Sequence, residues 1–177
     1  MKKSLTTKRL CRAGVIAALY VALTYAFAPF AFGAIQVRPA EALCILPLFF
    51  PEAIPALYVG CMLSNIASPF ALYDMFLGSL VTLIAAFGSY LVGVFFKKDG
   101  WRVILGGVFP VLLNALLIPV IIVYLCNAYP DHASASANYI SWAVLLFITE
   151  SVWVYGLGTP LYFGIKQLKK RGVSFLS

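Results

Sequence analysis

Glu150 is an ionisable residue inside an apolar run, eleven residues past Tyr139 and sixteen before Lys166. On a helix rising 1.5 Å per residue it would sit about 16 Å from the start of that run. A carboxyl at such a depth in a bilayer is expensive and by default functional. The blander alternative is a structural hydrogen bond to Asn114. Trp153, three residues on, shares the helical face of Glu150 and has a flat surface on which a planar ligand can stack. Arg38 and Glu41 are also three apart. Their spacing suits a local ion pair and a pair of ligand contacts equally well. Asp74 heads a further apolar run, where a helix dipole would favour it. Asn65 and Asn114 can hydrogen-bond between neighbouring helices. Together these groups suit a small, polar, planar molecule with several hydrogen-bond donors.

Other chemistries are missing from the sequence. It has no G-x-S-x-G, no H-E-x-x-H and no nucleophile beside a histidine, so no enzyme activity is expected. It has no G-x-x-x-x-G-K-[ST], so ATP-driven work would need partner subunits. His132 is the single histidine, which excludes a His-rich metal site. Cys11, Cys44, Cys61 and Cys126 lack C-x-x-C spacing and read as small apolar residues. No cofactor or metal is expected.

The elements that must position these groups are membrane spans. The chain is 63% hydrophobic and only 11% charged, and its mean hydropathy is +0.96. A soluble domain averages about 25% charged residues. The net charge of +7 has a topological explanation rather than a nucleic-acid one: twelve of the thirteen Lys and Arg fall in Lys2 to Arg12, Lys97 to Arg102 and Lys166 to Arg171. Such patches mark cytoplasmic ends under the positive-inside rule. Lys2 to Ala28 also resembles a signal peptide, but Pro29 is a poor residue to follow a cleavage site, and a retained first helix is expected.

Parity then counts the crossings. Arg12 and Lys97 should share one side, so the stretch between the first span and Met75 to Phe96 must cross an even number of times. Its prolines, Pro39, Pro47, Pro51 and Pro55, break it into two short helices about a turn at Phe50 to Glu52. The expectation is one all-α membrane domain over residues 1–177. It has six spans at about 13–30, 39–50, 51–68, 75–96, 102–126 and 139–165, both termini cytoplasmic and a pocket facing outward. Helices of 12 to 17 residues reach only about 18–26 Å, so the short pair is expected to leave the outer half hollow. Asp99 and Asp131 read as solvated loop residues, and Trp142 and Tyr139 as an interfacial belt. No internal repeat points to an inverted-repeat transporter.

The runs RAGVIAALYVAL, RPAEAL, LPLFFPEAIPALYVGCMLSN and DMFLGSL resemble the QueT-type queuosine-precursor S components of energy-coupling factor (ECF) transporters. The likeness is close over 13–95 and looser beyond. It implies a subunit in the plasma membrane of a prokaryote that captures a 7-deazaguanine such as preQ1 or queuine from outside. Its partners would be a transmembrane coupling subunit and two ATPase subunits. Docking would use small residues of the first helix, Ala13 and Ala17, with Ala18 and Ala22. Glu150 or Glu41 would accept the paired N–H donors of the guanine-like edge, Asp74 or the other Glu an aminomethyl group, and Asn114 or Asn65 the carbonyl. Other readings are an S component for riboflavin or thiamine, a passive channel or ion transporter using Glu150, and a membrane scaffold without a pocket.

Overall fold

The computed structural model describes residues 2–32, 36–127 and 134–173, with side chains from residue 6 onward. Asp131 and His132 lie outside the described residues. The described chain is helical, without strands. We number six helices: α1 Lys2–Ala26, α2 Pro39–Leu48, α3 Ala53–Ala67, α4 Ala71–Phe95, α5 Asp99–Leu125 and α6 Ala135–Lys170. Four of them, α1, α4, α5 and α6, are long and apolar enough to cross a membrane, and α2 and α3 are shorter apolar helices. The observed bounds lie within a few residues of the expected ones, except that α1 begins earlier and α6 runs five residues further. The first span also stops at Ala26. Pro29 sits in a separate turn, Ala28–Ala31, because it can open a helix but not continue one.

α2 departs most from expectation. It is wound as a 3-10 helix, and all ten of its residues are buried. At a rise of about 2.0 Å per residue it spans roughly 20 Å. Side chains of a 3-10 helix project along three ridges, so α2 needs neighbours all round. It has them: Leu43, Cys44 and Leu46 pack with Ile16 and Tyr20 of α1 and Leu57 and Cys61 of α3. Ile45 and Leu48 pack with Val92 of α4, Val103 of α5 and Tyr162 of α6. The short helix is therefore the core of the bundle, and any hollow lies beyond its Arg38 end rather than around it. Gly93 of α4 makes this possible, since a Cβ there would lie 2.8 Å from the Leu48 carbonyl oxygen. Gly60 of α3 does the same for α1, where a Cβ would come within 2.9 Å of the Tyr20 Cβ.

The two ends of the bundle differ in chemistry. At one end Arg12 pairs with Glu52, 3.1 Å apart, and its guanidinium lies over the Phe50 ring. Arg102 donates to the carbonyl of Leu48, the last residue of α2, which satisfies an acceptor that helix ends leave open. Asp99 pairs with Lys166 and accepts from the Tyr162 hydroxyl at 2.9 Å. Asp99 is thus a clamp between α5 and α6, not a solvated loop residue, because α5 begins one turn earlier than expected. Both the Arg12 end of α1 and the Lys166 end of α6 lie at this basic end. The C-terminal ends of α1, α3 and α5 lie at the other.

Candidate functional site

Burying charge requires partners, and the described core contains one dense polar cluster. Tyr20, fully buried on α1, donates to Glu41 Oε1 at 2.5 Å. Cys44, one turn further along α2, donates its S–H to the other oxygen at 3.2 Å. Arg38 places Nε 3.8 Å from Glu41 Oε1. Its NH2 donates to Asn65 Oδ1 at 3.2 Å and to the Tyr20 hydroxyl at 3.4 Å. Asn65 in turn donates to the Asp74 backbone carbonyl at 2.9 Å. The Ser68 hydroxyl donates to the Asp74 carboxylate. The chain of contacts therefore runs from α1 through α2 and α3 to the head of α4. Glu150 on α6 lies within electrostatic reach of Arg38 and Glu41, with Asn114 of α5 beside it. Its Oε2 is buried without a partner among the described residues.

A cavity of about 250 Å³ opens at the end opposite the basic one. Its walls come from four parts of the chain. Phe32, Gln36 and Arg38 come from the connection between α1 and α2, and Ser68, Pro69 and Phe70, with Asp74 just beyond them at the head of α4, from the α3–α4 corner. Ile118 and Ile122 come from α5 and Trp142 from α6. The size lies just below the range of about 300–1,000 Å³ typical for drug-sized ligands, which suits a single small heterocycle. Trp142 and Phe70 offer flat apolar faces, and Gln36, Arg38, Ser68 and Asp74 offer donors and acceptors. Two lining helices are widened into π turns here, at Asp74–Gly78 and Ile121–Leu125. Such widening re-aims side chains and recurs at functional sites.

The sequence-derived candidates fall into three groups. Arg38 and Asp74 line the cavity. Glu41 and Asn65 stand directly behind Arg38, each 1% exposed, with their polar atoms already engaged. Asn114 and Glu150 lie deeper. Asn114, Ile118 and Ile122 follow one face of α5, and Trp142, Leu146 and Glu150 one face of α6. Eight residues of helix put Glu150 about 12 Å below Trp142. Ile118, Ile122 and Leu146 form an apolar layer between the two levels. Trp153 belongs to the π turn Val152–Leu157, beyond Glu150, and is not among the cavity residues. The lining tryptophan is Trp142, which the sequence alone suggested as a belt residue. On α1, Ala13 and Ala17 pack against the protein's own core. Ala18 and Ala22 are exposed, in line with exposed Gly14 and Ala26. Sequence reasoning missed Tyr20, Gln36, Phe70 and Trp142. The position of Trp142 eight residues before Glu150 was the available signal for the last.

A chain whose described residues are helical, with several apolar spans, charge gathered in its interior and a cavity at one end, is a multi-pass membrane protein. Residues 10–167 match the family described as QueT transporter, and the chain belongs to that family. It is 37% identical over 101 residues to the "Queuosine precursor transporter QueT" of Lactococcus lactis subsp. cremoris (strain MG1363). That alignment covers 56% of this chain and 59% of the relative, so the chain spans about three-fifths of the relative's length. No solved structure matches.

Proposed function

We propose that this chain is the substrate-capture (S) component of an ECF-type importer. It takes a queuosine precursor, a 7-deazaguanine such as preQ1 or queuine, from outside a prokaryotic plasma membrane. A coupling subunit and two ATPase subunits complete the importer. The observation that carries the reading is the cavity between Trp142, Phe70, Arg38 and Asp74. Its aromatic walls accept a flat ring. Asp74 stands where a protonated aminomethyl group would find a carboxylate. The Arg38 guanidinium, held from behind by Glu41, Tyr20 and Asn65, meets the ring's acceptor side. Glu150 and Asn114 become contacts when the layer of Ile118 and Leu146 parts.

The basic end faces the cytoplasm in this reading, with six crossings and both termini inside. The stripe Gly14, Ala18, Ala22 and Ala26 is the surface offered to the coupling subunit, one residue out of register from Ala13 and Ala17. Small residues at four-residue spacing let two backbones approach closely. The test is thermal unfolding of the purified chain in detergent with 7-deazaguanines, riboflavin, thiamine and biotin. A ligand present at about 100 times its Kd adds about 2.7 kcal/mol of stability. Stabilisation by a deazaguanine alone is expected, and a panel in which none stabilises overturns the substrate assignment.

A further inference from the structure

Gln36 combines two features that nothing in the fold requires of it. Its backbone φ is +49°, in the left-handed region where non-glycine residues are uncommon and the tolerated ones are mostly Asn, Asp and His. Gln36 also lines the cavity, as does Arg38 two residues on. The segment is pinned on the far side, where the Val37 N–H donates to the Phe30 carbonyl at 2.9 Å. A turn needing only the backbone geometry is better served by glycine. A glutamine there brings a primary amide within reach of the cavity, and strained residues of this kind gather at ligand sites.

We infer that Gln36 is the specificity residue that reads a lactam edge, a ring N–H beside a ring carbonyl. The inference rests on the proposed function and deepens it. A primary amide is the complement of such an edge: its carbonyl oxygen accepts from the ring N–H while its NH2 donates to the ring carbonyl. Of the two candidates that the sequence offers for the carbonyl, Asn114 lies deeper than the cavity wall, which leaves Asn65. It is spoken for, because its oxygen accepts from Arg38 and its nitrogen donates to the Asp74 backbone. Arg38 stands beside Gln36 as a second donor toward the same carbonyl, and Asp74 remains for a cationic substituent. Purines whose edge lacks the ring N–H then leave the Gln36 carbonyl oxygen unpaired, which is how a polar site rejects a near-isostere.

The test uses the full chain in detergent, with 7-aminomethyl-7-deazaguanine and its N1-methyl derivative as probes, and titrates binding to parent, Gln36→Leu and Gln36→Gly. The parent is expected to bind the unmethylated probe and to reject the methylated one by at least about tenfold. Both variants are expected to lose about tenfold for the unmethylated probe, and the methylation penalty should shrink most in Gln36→Gly, which also opens space. Unliganded Gln36→Gly should melt no lower than the parent, because glycine is at ease at this φ, so loss of affinity there is not loss of fold. Parent-like affinity and a parent-like methylation penalty in both variants overturn the role of Gln36 alone. A parent that binds neither probe overturns the proposed function, and this inference with it.

Discussion

Truncating Glu41 to alanine should be among the most damaging single changes in the chain, and the structure says why. Three groups lean on this carboxylate: the Tyr20 hydroxyl at 2.5 Å, the Cys44 thiol at 3.2 Å and Arg38 Nε at 3.8 Å. The side chains of Arg38 and Glu41 are 14% and 2% exposed. Losing the two hydrogen bonds is the smaller effect, since hydrogen bonds between membrane helices average about 0.6 kcal/mol and reach about 1.7. The larger effect is a mostly buried guanidinium at the cavity wall left without its nearest counter-charge. Breaking one partner of a buried pair destabilises by about 3–5 kcal/mol. The double replacement Arg38→Met with Glu41→Leu removes both charges, and the same principle makes such swaps neutral or stabilising. The double variant is therefore expected to regain most of the stability lost by Glu41→Ala, while losing the Arg38 contact to ligand. Equilibrium unfolding of the parent, Arg38→Met, Glu41→Leu and the double closes a double-mutant cycle, with Glu41→Ala measured beside it. Independent, additive losses would refute the coupling, and a loss below about 1 kcal/mol in Glu41→Ala would refute the claim that Glu41 neutralises Arg38.

Gly93→Ala should destabilise by about 1–3 kcal/mol through overpacking, because its Cβ would press on the Leu48 backbone at 2.8–2.9 Å. Gly164→Ala, with nothing within 4 Å, should be neutral or gain about 0.5–1 kcal/mol of helix propensity; unfolding curves of the pair measure the contrast. Trp142→Ala should weaken deazaguanine binding by about 1–3 kcal/mol if stacking there resembles base stacking elsewhere, whereas Trp153→Ala should bind like the parent in the same titration. Ala18→Leu with Ala22→Leu should leave ligand binding intact and abolish copurification with the coupling subunit; retained copurification would move the docking surface off this stripe.

The helical segments were legible because hydropathy and the spacing of Lys and Arg report local facts about bilayer partitioning. The prolines, Pro51 above all, also placed the turn at Phe50 to Glu52 between α2 and α3. The winding and burial of α2 were not legible. A run such as ALCILPL reads the same whether lipid or protein surrounds it, and only Gly60, Gly93 and the small Ala40 and Ala42 hint at close neighbours. The candidate site was half visible. Arg38, Glu41, Asn65 and Asp74 stand out because charge and amide groups are conspicuous in apolar sequence, and the structure links all four through hydrogen bonds or ion pairs. Tyr20 does not stand out, although it follows Ala13 and Ala17 at helical spacing and so marks the inward face of α1. Gln36 could not be singled out either, since its distinguishing property is a backbone angle. Glu150 was judged by its depth along one helix, and depth alone does not reveal the apolar layer above it.

The complete burial of α2 has a consequence for how the protein is made. A ten-residue segment is about half the roughly 20 residues that insert into a bilayer by themselves. It also carries Glu41, whose insertion unpaired would be unfavourable. α2 has no face of its own to show to lipid, so it cannot wait in the bilayer for its neighbours. Nor can it thread into a bundle that has already closed, since residues of five other helices surround it. The Tyr20–Glu41 hydrogen bond and the close approach at Gly60 give the hairpin of α2 and α3 a ready surface on α1. An insertion order set by this short helix predicts that a ribosome stalled after α3 holds the Tyr20–Glu41 contact already formed, and its absence there would show that α2 is seated only after α4 to α6 arrive.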